Sequence, residues 1–180
     1  GDGYKALVVV FMNGGADSFN LLVPHSNCDN RSNSELYTST RGSAALNLND
    51  VLQISSPPGT QSCDTMGIHP RLTTLQQLYN DGDASFLANI GALVKPVTKE
   101  EVVNKEATLP AGLFAHNLQT QGAKTLHPQS VTGSSGVLGR ILQAYEDQAA
   151  DSGVEAVKGT GYSITTDKTM FRGSPRETVH

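Results

Sequence analysis

The 180-residue chain has no tryptophan, only two cysteines and an aromatic content of 6%. Charged residues make up 17% and hydrophobic ones 37%, both below the usual share of a globular domain. No Lys/Arg-rich block is present and the formal net charge is −4, which argues against nucleic acid as a partner. No apolar run reaches the length needed to cross a bilayer, so a transmembrane chain is not expected. The sequence also lacks a P-loop ending, a dinucleotide fingerprint, a Gly-x-Ser-x-Gly elbow and a paired His-x-x-x-His. Internal repeats and low-complexity tracts are missing as well.

Ser, Thr, Asn, Gln and 18 glycines fill these gaps, a mixture that suits an α/β protein with long polar loops. The run "YKALVVVF" from Tyr4 has almost no alternation, as expected of a strand buried on both faces in a parallel sheet. Residues 25–65 form a long polar excursion broken by Pro57, Pro58 and Gly59, with a brief strand expected around Leu52 and Ile54. Leu72, Leu75, Leu78 and Tyr79 recur at helical spacing, and residues 84–90 then predict a second buried strand. A short helix is expected within the charged residues 95–106. Leu138, Ile141, Leu142 and Tyr145 predict another amphipathic helix, and "YSIT" the start of a further strand. Strand, excursion, helix and strand in that order predict an α/β fold with a mostly parallel sheet. The expected organisation is one domain over residues 1–180, or the amino-terminal part of one.

Asn13 to Asn20, "NGGADSFN", crosses between two apolar stretches. A carboxylate directly after a first strand is well placed to hold a divalent cation. Gly14 and Gly15 would let backbone approach it, and Asp17 and Ser18 would supply a ligand and a nucleophile. The plainer alternative is a tight turn in which Asp17 or Ser18 caps the next helix, and residue chemistry alone favours it. His69 and His116 sit on loops where a neutral imidazole could ligate a metal, with Asn117 offering an amide oxygen. Each histidine alone is more often a polar loop residue. Ser134 and Ser135 are further hydroxyl candidates, and "GSSG" could equally bind an anion or cap a helix. Cys28 and Cys63 lie in polar stretches and would staple two loops as a disulfide in an oxidising compartment, or else be two free thiols. Asn30-Arg31-Ser32 is a glycosylation acceptor triplet. Together these tilt toward a secreted, periplasmic or organelle-luminal protein.

"LVVVFMNGGADSFNLLVP", "GIHPRLTTLQQLYNDGDASFLANIG", "LFAHNLQTQG" and "SSGVLGRIL" occur in this order. The set resembles the amino-terminal half of the family called domain of unknown function 1501, which itself resembles the alkaline phosphatase and sulfatase superfamily. That resemblance implies a partial three-layer αβα sandwich, alkaline-phosphatase-like, with metal-assisted hydrolase ancestry. It implies divalent metal ions as cofactors and a phosphate or sulfate ester as substrate. Asp17 then matches a metal ligand and Ser18 adjoins it, while His69, His116, Gln119 and Arg140 match family positions. Asn13 and Val137 depart from the pattern, and most metal ligands of that superfamily lie in a second half with no counterpart here. The opposing expectation is a non-catalytic structural or accessory subunit of an extracellular or luminal assembly. The polar excursion and residues 95–106 would then meet protein partners.

Overall fold

The structure, a computed structural model, describes residues 6–29, 32–88, 90–130, 135–153, 159–173 and 177–179, with residue 32 and the last three described by backbone alone. The chain divides into two compact units, Gly1–Ala88 and Asn89–His180.

In the first unit, strands β1 (Leu22–Cys28), β2 (Leu52–Ser55) and β3 (Cys63–Ile68) form an antiparallel sheet in the order β1-β3-β2. Pro24 has no N–H to give a ladder, and β1 accordingly lies at an edge. The β1–β3 register shifts between Pro24 and Ser26, leaving His25 as the extra residue of a bulge. Val23, Ile54, Cys63 and Ile68 are buried on this sheet together with Val51. A Cβ on Gly67 would lie 2.5 Å from Val51 Cγ2 and 3.0 Å from Val23 Cγ2, so the missing side chain is what lets the two valines close over β3.

Cys28 and Cys63 face each other in register and are joined by a disulfide. Asp29 N–H donates to Ser62 O at 2.9 Å just beyond it, so pairing continues past the staple. Helix α1 (Ser32–Arg41) packs against β1. Helix α2 (Thr73–Asn80) covers β2 with polar side chains. Gln76 Nε2 donates to Gln53 O at 2.8 Å, and the Tyr79 hydroxyl donates to Ser55 O at 3.2 Å. An edge strand whose carbonyls are taken in this way is a poor template for further pairing.

The second unit holds α3 (Lys99–Val103), α4 (His116–Thr125) and α5 (Val137–Asp151). The three-residue strands β4 (Gly161–Ser163) and β5 (Glu177–Val179) form a parallel pair. Five residues are too few to sustain a helix alone, and α3 is held by a reciprocal cap. Glu101 N–H donates to Thr98 Oγ1 at 3.2 Å, while Thr98 N–H donates to Glu101 Oε2 at 2.7 Å. That backbone hydrogen bond, first among its causes, lowers the Glu101 carboxyl below its ordinary range. At the start of α5, a Cβ on Gly136 would fall 2.1 Å from Met170 O. The same residue's N–H donates to Arg172 O at 2.8 Å.

The mostly parallel, three-layer αβα sandwich expected from the sequence is therefore corrected. The described residues form helices with a small antiparallel sheet, and the parallel pairing is confined to the short β4–β5 pair. Two apolar runs account for the difference. Residues 6–12 are not part of any strand, and neither are the described residues of 84–90. The sheet is built instead within the excursion, from β1, β2 and β3. Antiparallel neighbours need only short connections, and here a disulfide ties two of them. An alkaline-phosphatase-like fold conflicts with this sheet order.

Candidate functional site

Beyond residues 7–12 the chain turns at Gly14 and Gly15, whose φ values of 89° and 106° lie in the region glycine adopts freely. A single 3-10 turn, Ser18–Asn20, comes next. Asp17 occupies its N-cap position, yet its carboxylate makes no capping bond. It is taken elsewhere: Oδ2 accepts from Asn20 Nδ2 at 2.8 Å and from Arg41 Nη2, at the end of α1.

Asn20 is the hub of this polar cluster. Its Nδ2 also donates to Ala44 O at 2.9 Å, and its Oδ1 accepts from the Tyr37 hydroxyl at 2.6 Å. The Tyr37 oxygen in turn accepts from Leu46 N–H at 2.8 Å. The Arg41 guanidinium also lies 5.7 Å from the Phe19 ring centroid, within cation–π range. The 13–20 crossing is thus clasped to α1 and to the loop after it. Asp17 was visible in the sequence, whereas Asn20, Tyr37 and Arg41 were not. Asn20 stands three residues from Asp17 and so offered a faint local signal. Tyr37 and Arg41 are 17 and 24 residues from their partners and offered none.

This donor set does not suit a divalent cation. The guanidinium of Arg41 sits on the same Asp17 oxygen that would have to ligate the metal, and like charges there would repel. His69 does not compensate, because its Nδ1 accepts from Arg71 N–H at 3.2 Å in the turn ahead of α2. The neutral ring then carries its proton on Nε2 and offers no free lone pair. Ser18 lies in the turn with no histidine or carboxylate recorded against its hydroxyl among the described residues. Among the described residues, no group of three or more His, Cys, Asp or Glu could hold a metal ion. The metal-binding and hydrolase descriptors expected from the motif set thus find no support in this geometry. Asn13 N–H donates to Phe11 O at 3.0 Å, closing a tight turn before the two glycines.

The remaining candidates lie in the second unit. His116 opens α4, and Asn117 and Gln119 sit just after it on the same helix, all three exposed. Gln119 borders an apolar groove of about 610 Å³ that Leu113, Leu118, Leu126 and Pro128 also line. Arg140, on the first turn of α5, is the most heavily bonded candidate. Its Nη2 donates to Thr125 O at 2.7 Å, and its Nη1 donates to Ser135 O at 2.7 Å and to His127 Nε2 at 3.0 Å. Because a guanidinium can only donate, His127 accepts through Nε2 and its neutral ring carries the proton on Nδ1. Arg140 thereby ties the carboxyl end of α4 to the start of α5, where a cation also complements the α4 dipole. Its place is that of a clamp between helices. Asn30 and Ser134, expected as glycosylation and hydroxyl candidates, lie outside the described residues.

No helix among the described residues is long and apolar enough to cross a membrane. A family model described as "Protein of unknown function (DUF1501)" matches residues 4–173. No curated protein and no solved structure matches the chain.

Proposed function

The chain belongs to the DUF1501 family, and from that premise we propose that it acts as a non-catalytic structural or accessory subunit of an extracellular or luminal assembly. One observation carries this reading: residues 7–12 present an unbroken apolar run to solvent, with Val8 80% and Val10 83% exposed. Exposed contiguous apolar surface in a soluble protein marks an interaction site. The disulfide supports residence in an oxidising compartment, where such bonds persist. The motif order remains the sole support for kinship with the alkaline phosphatase and sulfatase superfamily, and the small antiparallel sheet conflicts with it. Ester hydrolysis therefore ranks below binding.

The test is turnover of generic aryl phosphate and aryl sulfate esters by the purified, disulfide-intact chain, with and without added zinc, magnesium or manganese. The binding reading expects no turnover above the blank, and metal content by elemental analysis that is the same for the native chain and Asp17→Ala. Turnover that disappears in Asp17→Ala or Ser18→Ala would overturn it.

A further inference from the structure

We infer that residues 7–12 form a self-association strand, pairing antiparallel with the same segment of a second copy of this chain. The inference rests on the binding reading above and names its partner. Leu7, Val8, Val9, Val10 and Met12 are 73%, 80%, 45%, 83% and 62% exposed, so apolar side chains emerge on both alternate faces. Among the described residues, 7–10 take part in no strand and make no backbone hydrogen bond, although valine-rich chain favours the extended conformation.

What covers such a segment must meet two demands at once. A lipid surface or the apolar face of a helix would bury the side chains but leave the main-chain N–H and C=O groups of residues 7–10 without partners, which is unfavourable. A strand edge satisfies both the main chain and the side chains. Unpaired extended chain of this kind is the usual template for pairing with another polypeptide.

The segment is also its own complement. Residues 6–13 carry no charge, so antiparallel self-pairing opposes no like charges. A two-fold axis through the Val9 pair sets Leu7 opposite Phe11 and Val8 opposite Val10, apolar against apolar at each step. Such an isologous contact closes at the dimer, the commonest symmetric assembly. Lys5 precedes the stretch and would lie at opposite ends of the antiparallel pair in the two copies. The next charged side chain on the carboxyl side, Asp17, is held by Arg41, and Gly14 and Gly15 set the segment off from that anchored turn.

The experiment is sedimentation velocity of the disulfide-intact chain from about 1 to about 100 µM, the range suited to an interface of modest area. It is paired with amide hydrogen exchange at both ends of that range. The expected result is a concentration-dependent dimer in which the amides of residues 8–12 exchange at least about tenfold more slowly than in the monomer. Val9→Pro removes a ladder donor and Val10→Lys places a charge within the pair, and both should remain monomeric. Intact mass and far-UV circular dichroism verify that these variants keep the disulfide and the fold. A monomer throughout, a dimer that survives Val9→Pro, or a dimer whose residues 8–12 still exchange fast would each overturn the inference. So would a chain that stays monomeric in solution but binds phosphatidylcholine–phosphatidylglycerol vesicles. None of these outcomes bears on ester turnover, so self-pairing can fail while the non-catalytic reading stands.

Discussion

The two units are held together by different chemistry. In the first, a disulfide between paired strands fixes the sheet around Val23, Ile54 and Ile68. In the second, no disulfide joins the described residues, and the buried polar groups Lys124 and Thr125 lie at the end of α4. Arg140 bonds to the Thr125 carbonyl, and Lys124 pairs with Asp167. A covalent constraint acts mainly by restricting the unfolded chain, whereas charged hydrogen bonds act in the folded state and depend on pH. The units should therefore fail under different stresses: the first under reduction, the second under loss of charge.

Reduction is the strongest test of that contrast. Cys28→Ser combined with Cys63→Ser, or thiol reduction of the native chain, should cost about 2–4 kcal/mol. Hydrogen exchange should show the loss in β1 and β3, with α4 and α5 keeping their protection. Equal loss in both units would break the distinction. Arg140→Ala is the matching test in the second unit. It removes charged hydrogen bonds to Thr125, Ser135 and His127, and about 2 kcal/mol should be lost there. Arg140→Lys should recover little of it, because an ammonium cannot span the same fork of acceptors. Full recovery by Lys would reduce the clamp to its charge alone.

The sequence showed those parts of each unit whose pattern is local. The leucine spacing of α2 and α5 was legible, as was a brief strand at Leu52 and Ile54. Helix α1 was not: in Ser32–Arg41 only Leu36 and Tyr37 are large and apolar, so polar composition concealed a helix that packs through β1. β1 was hidden by Pro24 and by the polar His25, Ser26 and Asn27. Residues 7–12 illustrate the opposite failure. Their composition states what surroundings the segment needs and so predicts burial, yet nothing in composition says whether a partner strand is present. The same limit applies to the site. Asp17 was found by its position after an apolar run, but its fate is decided by Arg41, which only the folded chain brings to it.

The smallest expected effect sharpens the comparison most, because it reads one unit alone. Asp167 is held down from 3.8 to about 2, first by the Lys124 side chain and then by the Thr169 backbone N–H, which it accepts at 2.8 Å. Its pKa is depressed in the folded state, so the unfolded chain binds the proton more readily. The stabilisation is complete above the ordinary carboxylate value and is lost as pH falls from about 4 toward about 2. A shift of that size would correspond to about 2 kcal/mol unscreened. The Asp167 side chain is 42% exposed, and solvent should reduce this to about 1 kcal/mol. Chemical denaturation followed by exchange in α4 and α5 should show this decline between those pH values, and Asp167→Asn should remove it. Glu101 remains in that variant and is also lowered, so it sets the residual slope against which the difference is read. If Asp167→Asn leaves the acid profile of the second unit unchanged, the Lys124 pair contributes nothing to it, and Arg140 alone distinguishes that unit from the disulfide-bound sheet.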